Sequence, residues 1–232
     1  MSLSALCRKL GLKPEEAEQL TVALTHRSWV AENAGQDNER LEFLGDAVLQ
    51  LVVTDQIMVS FPSAPEGQLS RIRSRLVRAS ALAELARHWD LGSFLRLGVG
   101  EERSGGRERE SVLADACEAV IGAVYLETGI DQCREVLGPT IQRLLAEVED
   151  PATFGIGPKS LLQELTVAKW GVLPEYRLVN TSGPDHARVY TVEVSVGGHA
   201  NAQGAATTKQ NAQRAAAAKV IGMLAGLEAA EE

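Results

Sequence analysis

The sequence has only three cysteines, Cys7, Cys117 and Cys133. Their number is odd and none falls in a C-x-x-C pair, which argues against a disulfide framework or a zinc site and for free thiols in a reducing compartment. The N-terminus lacks the charged-then-apolar pattern of a signal peptide. No uninterrupted apolar run approaches the roughly 18 residues of a membrane span. A soluble, cytoplasmic protein without a membrane partner is expected. There is no excess of positive charge either: 23 Lys+Arg stand against 31 Asp+Glu, a net of −8. Taken alone, that balance argues against a nucleic-acid binder.

The charge is unevenly placed. Residues 1–150 hold 16 basic and 24 acidic residues (16 − 24 = −8), whereas residues 151–227 hold 7 and 4 (7 − 4 = +3). Three glutamates in 228–232 form an acidic tail. Apolar content is 45%, enough for a real core in one large or two modest domains.

Residues 1–150 are patterned as helix almost throughout. Pro14, Glu15 and Glu16 fit the first turn of a helix running toward Trp29. Helical spacing is expected over Asn38 to about Val59, after Pro65-Glu66-Gly67, over Ser111–Leu126, and from Asp131 to Glu147. The apolar-free stretch from Ser104 to Glu110 reads as a loop. At Glu149-Asp150-Pro151 the composition changes, and residues 151–158, with two glycines and two prolines, read as a linker. Beyond it the pattern is helix (Lys159–Trp170), strands (Glu175–Asn180, Val189–Val196 and a weak one at Asn201–Ala206) and an alanine-rich helix (Thr208–Leu224). The expected architecture is an all-α domain over 1–150, then a small α+β domain of order α-β-β-β-α over 159–227.

The acidic residues of the first domain are not scattered. At about 100° per residue, Glu39, Glu42 and Asp46 fall within roughly 60° of one another on their helix. Leu41, Leu44, Val48 and Leu51 are assigned to the opposite side, and Phe43 and Leu49 flank the acids. A solvated face is not normally edged by Phe and Leu, so these acids belong in a cleft or at a partner surface, where desolvated like charges require a counter-ion. Asp115 and Glu118 are one turn apart on an otherwise apolar helix, with small residues Ala119 and Gly122 beside them. Oxygen ligands from two helices suit a hard cation such as Mg²⁺, and paired metals serve phosphodiester hydrolysis. Two other readings stay open at this point. The acids can be paired structurally with arginine, Arg40 being adjacent to Glu39. A di-iron bundle is the other, although none of the four histidines completes a Glu-x-x-His.

The segment Asn38-Glu39-Arg40-Leu41-Glu42-Phe43-Leu44-Gly45-Asp46 resembles the signature of bacterial ribonuclease III. Leu24-Thr25-His26-Arg27-Ser28 resembles that family's upstream motif, and Leu113–Ala123 resembles its second metal-binding helix. The resemblance implies a Mg²⁺-dependent endoribonuclease, Mn²⁺ substituting, that cuts double-stranded RNA as a homodimer and leaves 5′-phosphate and 3′-hydroxyl ends. It implies precursor rRNA and some mRNAs as substrates. Glu42, Asp46, Asp115 and Glu118 correspond to the metal set, with Glu118 central and Asp46 catalytic beside it. Glu39 and Glu66 correspond to acids that contact RNA or outer-shell groups near the cut, and Phe43 to an aromatic knob at the dimer interface. His26 is read as a structural histidine outside the carboxylate set.

The second domain resembles the double-stranded-RNA-binding domain. Gln163 and Glu164 on its first helix, His186 in the Gly183-Pro184-Asp185-His186 loop and Lys209 at the start of the last helix correspond to RNA contacts. The pattern departs from the family at Gln210, where a second lysine is usual, and at Ala206, where glycine is expected. Fewer cations mean a weaker salt dependence. The alternative is a non-catalytic relative that only binds structured RNA; such a protein should have lost some of the four metal carboxylates, and all four are present.

Overall fold

A computed structural model describes residues 2–14 and 17–228, with side chains described to residue 225. The chain divides into two compact units, Met1–Phe154 and Gly155–Glu232. In the first, the described helices are α1 (Leu3–Lys9), α2 (Glu18–Ala23), α3 (Arg27–Val30), α4 (Glu39–Ser60), α5 (Glu66–Leu76), α6 (Ala79–His88), α7 (Val99–Arg103), α8 (Glu110–Thr128) and α9 (Ile130–Leu145). The second holds α10 (Pro158–Trp170), β1 (Glu175–Ser182), β2 (Val189–Val196), β3 (Ala200–Ala206) and α11 (Lys209–Glu228).

The first unit is organised around α8. Val112, Leu113, Cys117, Val120, Ile121 and Val124 are all buried, so this helix is apolar on nearly every side. It packs against α4, α6, α2 and α9. Its contact with α4 is unusually close, because glycine stands on both helices where they cross. A β-carbon on Gly45 would lie 1.7 Å from the Glu118 carbonyl oxygen, and one on Gly122 would lie 2.3 Å from that of Leu41. Backbone therefore lies directly on backbone. Phe61 and Pro62 end α4, and Gly129, at φ 85°, ends α8.

Several expectations need correction. The helix expected from Pro14 to Trp29 is two short ones, because Leu24–His26 leaves the helix to bond an adjacent segment. Arg96 N–H donates to Leu24 O (2.8 Å) and His26 N–H to Arg96 O (3.0 Å). Glu15 and Glu16, expected in its first turn, lie outside the described residues, as do residues 229–232 of the acidic tail. Helices α6 and α7 were not foreseen. The loop at Ser104–Glu110 contains a 3₁₀ turn, Gly106–Glu108. Leu51 does not share the core face with Leu41 and Val48: it is exposed, as are Phe43, Met58 and Val59. By length and mean hydropathy (1.3), α4 is the one helix among the described residues that could cross a bilayer. Here it packs against α8, α5 and α9.

The second unit is a three-stranded antiparallel sheet in the order β1-β2-β3, packed against α11 and α10. Val192, Val194 and Val196 alternate inward on β2. A bulge interrupts β1 between Leu178 and Asn180. The third strand, faint in sequence, pairs fully with β2 from Ala200 to Ala206. Its Gly204 lies against α11, where a β-carbon would come within 2.2 Å of the Ala216 nitrogen. This explains the alanine run: Ala212, Ala216 and Ala217 are completely buried. Pro158 opens α10 at its first position and Gly171, at φ 67°, closes it.

The Gly45 contact yields a stability prediction. Gly45→Ala forces a methyl into the α8 backbone, which cannot move aside as a side chain would. Unfolding by denaturant should show a loss at or beyond about 3 kcal/mol, the upper end of ordinary overpacking. Gly67→Ala, where nothing lies within 4 Å, should cost far less.

Candidate active site

The α4–α8 crossing sets the site. Glu42 and Asp46 lie one turn apart on α4, and Asp115 and Glu118 one turn apart on α8. All four are partly buried. Burial, followed by the charges of Asp46, Glu42 and Asp115, pushes the Glu118 carboxyl up to about 7. Burial and the charge of Asp115, then Glu39, raise Glu42, and burial raises Asp115. None of the ion pairs among the described residues engages any of the four. Asp46 is held by Gln50, whose Nε2 donates to both carboxylate oxygens (3.0 and 2.9 Å). Pairing with arginine, considered from sequence, is found at Glu39, whose partner is Arg27 at 3.4 Å and not Arg40, but, among the described residues, at none of the four.

Among the described residues no three Asp, Glu, His or Cys side chains converge into a ready-made metal cage. Unneutralised like charges have no reason to converge. The donor set nevertheless fits Mg²⁺, which takes oxygen ligands, keeps several waters and needs only one or two direct carboxylates.

A cleft of about 620 Å³ opens beside two of these acids, Glu42 and Asp115; Asp46 and Glu118 are not among the residues on its walls. Glu39, Glu42, Asp115, Glu101, His26, Arg27 and Arg109 are among the residues on its walls. His26 therefore borders the carboxylate set instead of lying apart from it, and its charge opposes the rise at Asp115. It is structural as well, since Ser28 N–H donates to its Nδ1 (3.2 Å) and so caps α3. Sequence reasoning missed Arg27, Glu101, Arg109 and Gln50. Gln50 had a signal, standing four residues after Asp46 on the same helix face.

The other candidate residues lie elsewhere. Glu66 begins α5 and shares a small hollow with Thr54, Met58 and Arg73, outside the walls of the carboxylate cleft. Phe43 is 83% exposed. It borders a hollow of about 880 Å³ that Val22, Val30, Leu44 and Leu126 help to line. In the second unit Gln163, Glu164, His186 and Lys209 are all exposed. His186 lies in a 3₁₀ turn, Asp185–Ala187, after Gly183 at φ 86°. Lys209 heads α11 with its Nζ 5.8 Å from the centre of the Tyr190 ring.

Comparison with known proteins settles the family. The Ribonuclease-III-like family pattern matches residues 16–145, and the double-stranded RNA binding motif matches residues 158–224. The chain belongs to the ribonuclease III family. Ribonuclease 3 of Streptomyces coelicolor is 47% identical over 210 residues, spanning 90% of this chain and 75% of the relative. Ribonuclease 3 of Shewanella sp. (strain W3-18-1) is 42% identical over 224 residues, spanning 96% and 97%. The nuclease domain of ribonuclease III from Campylobacter jejuni, a solved structure described for flexibility in a region involved in dimer formation, superposes with a TM-score of 0.58 at 38% identity. It covers 62% of this chain and 99% of that domain. The protein is a double-stranded-RNA endoribonuclease: a helical nuclease domain followed by an α+β RNA-binding domain.

The raised carboxyls give a pH prediction for the metal-free protein. An acid whose folded-state pKa lies above its unfolded value binds more protons when folded, so its contribution to stability falls as pH rises. For Glu118 the window runs from about 4.5, its ordinary value, to about 7. In chelator, the thermal midpoint should fall across that window, and Glu118→Gln should flatten the decline.

Proposed function

We propose that this ribonuclease III cuts both strands of duplex RNA in a Mg²⁺-dependent reaction, acting as a homodimer in the cytoplasm. The observation that carries the reading is the placing of four partly buried carboxylates, none in an ion pair among the described residues, on α4 and α8 where the two helices cross; burial, and then the charges of Asp46, Glu42 and Asp115, lift Glu118 to about 7. Such an arrangement is unfavourable until a cation neutralises it. Glu42, Asp46, Asp115 and Glu118 would hold Mg²⁺, with Mn²⁺ as a substitute, and Glu118, which burial and then its acidic neighbours raise to about 7, would be central. When bound, the ion activates water and stabilises the charge developing on the phosphate. Water attacks phosphorus, the bond to the 3′ oxygen breaks and that oxygen is protonated, leaving 5′-phosphate and 3′-hydroxyl ends. Gln50 holds Asp46 in one orientation through its two hydrogen bonds. Glu39 at the cleft and Glu66 on α5 would meet RNA or outer-shell groups. Gln163, Glu164, His186 and Lys209 would bind the duplex by its shape. Precursor rRNA and some mRNAs are the substrates this reading assigns.

The homodimer rests on Phe43. An aromatic side chain 83% exposed beside a hollow partly lined by apolar side chains, with Leu51 and Met58 exposed further along α4, supports reading this face as an interface. Under two-fold symmetry each subunit's Phe43 would fill the other's hollow. Phe43→Ala should shift the protein toward monomer in sedimentation, weakening association by about 3–5 kcal/mol if the ring is fully buried there. A stable monomer for the unmutated protein would refute this pairing.

Catalysis has its own test. With Glu118→Gln, cleavage of duplex RNA in Mg²⁺ should drop by orders of magnitude, while duplex binding in Ca²⁺ stays nearly unchanged, because the exposed contacts of the second unit are untouched. Normal cleavage by this variant, or normal cleavage of duplex by the unmutated protein in excess chelator, would defeat the metal reading.

A further inference from the structure

We infer that Arg27 is a phosphate-contacting residue of the nuclease unit: it releases Glu39 and takes hold of the RNA backbone at the mouth of the carboxylate cleft. The inference rests on reading that cleft as the place of cutting.

The segment Leu24-Thr25-His26-Arg27-Ser28 is tied down at every position but one. Leu24 is buried, and its carbonyl accepts from Arg96 N–H. Thr25 is buried, and its Oγ1 donates to Thr21 O (2.7 Å). Its carbonyl accepts from Asn38 N–H (2.9 Å), which fixes the segment to the start of α4. His26 caps α3 through Ser28 N–H, and Ser28 Oγ in turn accepts from Gly98 N–H (2.9 Å). Arg96 lies over the Trp29 ring at 5.5 Å and braces the same turn from outside. Only Arg27 is left over, its side chain 72% exposed and lining the cleft with Glu39, Glu42 and Asp115.

Two arginines border that cleft, and they differ in how firmly they are held. Arg109 is committed to its neighbours: it pairs with Glu101 and donates to both the Oγ and the carbonyl of Ser104. Arg27 makes a single contact, to Glu39 at 3.4 Å, between two largely exposed side chains. An exposed pair of that length is worth little and breaks readily. A phosphate offers the guanidinium two oxygens in a matching fork and is the stronger partner. The need is also plain. The cleft walls carry Glu39, Glu42, Glu101 and Asp115, so an anionic backbone approaching it meets repulsion unless a cation on the wall faces it. Arg27 is the less engaged of the two arginines there, seated on a backbone that hydrogen bonds hold on both sides.

The test uses the full chain and a long perfect duplex RNA. Arg27→Gln should lower kcat/KM by about tenfold or more in Mg²⁺. It should also make the dependence of log binding constant on log salt, measured in Ca²⁺, shallower by about one unit, as expected for one lost phosphate contact. Arg27→Lys should recover the salt slope but only part of the cleavage, since it keeps the charge without the fork. Arg8→Gln, which removes the same charge from α1 and lines none of the cleft, should leave the slope unchanged. Thermal midpoints are recorded alongside. An Arg27→Gln protein with unaltered slope and rate overturns the inference, as does a loss of activity that merely tracks a loss of thermal stability. Should the unmutated protein fail to cut in Mg²⁺, the reading of the cleft falls and this inference with it; if it cuts and Arg27→Gln cuts equally well, only the inference falls.

Discussion

Gly45 and Gly122 let α4 and α8 meet backbone to backbone, and the nuclease unit depends on that contact. Helices with ordinary side chains at a crossing stand about 8–10 Å apart; here the intervening layer is missing. Two consequences follow from one geometry. On one side, Glu42 and Asp46 are brought close enough to Asp115 and Glu118 for burial and neighbouring charge to raise the Glu42 and Glu118 carboxyls. On the other side, α4 has no room to rotate and bury both of its apolar faces. Leu41, Val48 and Val52 are taken into the core, and Phe43, Leu51 and Met58 are left outside. The charged cluster and the exposed aromatic are products of the same close approach.

The second unit uses the same device for a different end. Gly204 on β3 and the alanines of α11 remove the side-chain layer between sheet and helix. The small-residue contact brings α11 down onto the sheet while Lys209, at its first position, stays exposed. The acidic excess belongs to the nuclease half and the modest basic excess to this one. The net charge of −8 therefore describes neither half.

Much of this was legible in the sequence because the signals were periodic. The spacing of Val192, Val194 and Val196 marked β2 from end to end, and the three-to-four-residue spacing of the acids placed them on common helix faces before any coordinates. What stayed hidden was set by contacts distant in sequence. The break at Leu24–His26 arises from hydrogen bonds to Arg96, about seventy residues away, which helical periodicity cannot register. Leu51 was misassigned for a similar reason. Helical spacing gives the angle of a side chain but not how wide a core the neighbouring helices supply. His26 was read as structural, and it is, but the cleft that also makes it a neighbour of Asp115 exists only once α3, α4 and α8 are assembled. The separate standing of Arg27 likewise depends on hydrogen bonds that engage its neighbours across distant parts of the chain.

The Glu118 carboxyl near 7 carries one more consequence. Burial and the neighbouring acids favour its protonated form over that of an ordinary glutamate, so any cation that settled against it would compete with a proton for the same oxygens. The cluster around Glu118 would then behave as an ion-exchange site. Loading would discharge acid into the medium, and modest alkalinity would tighten the grip with no change in the protein's shape.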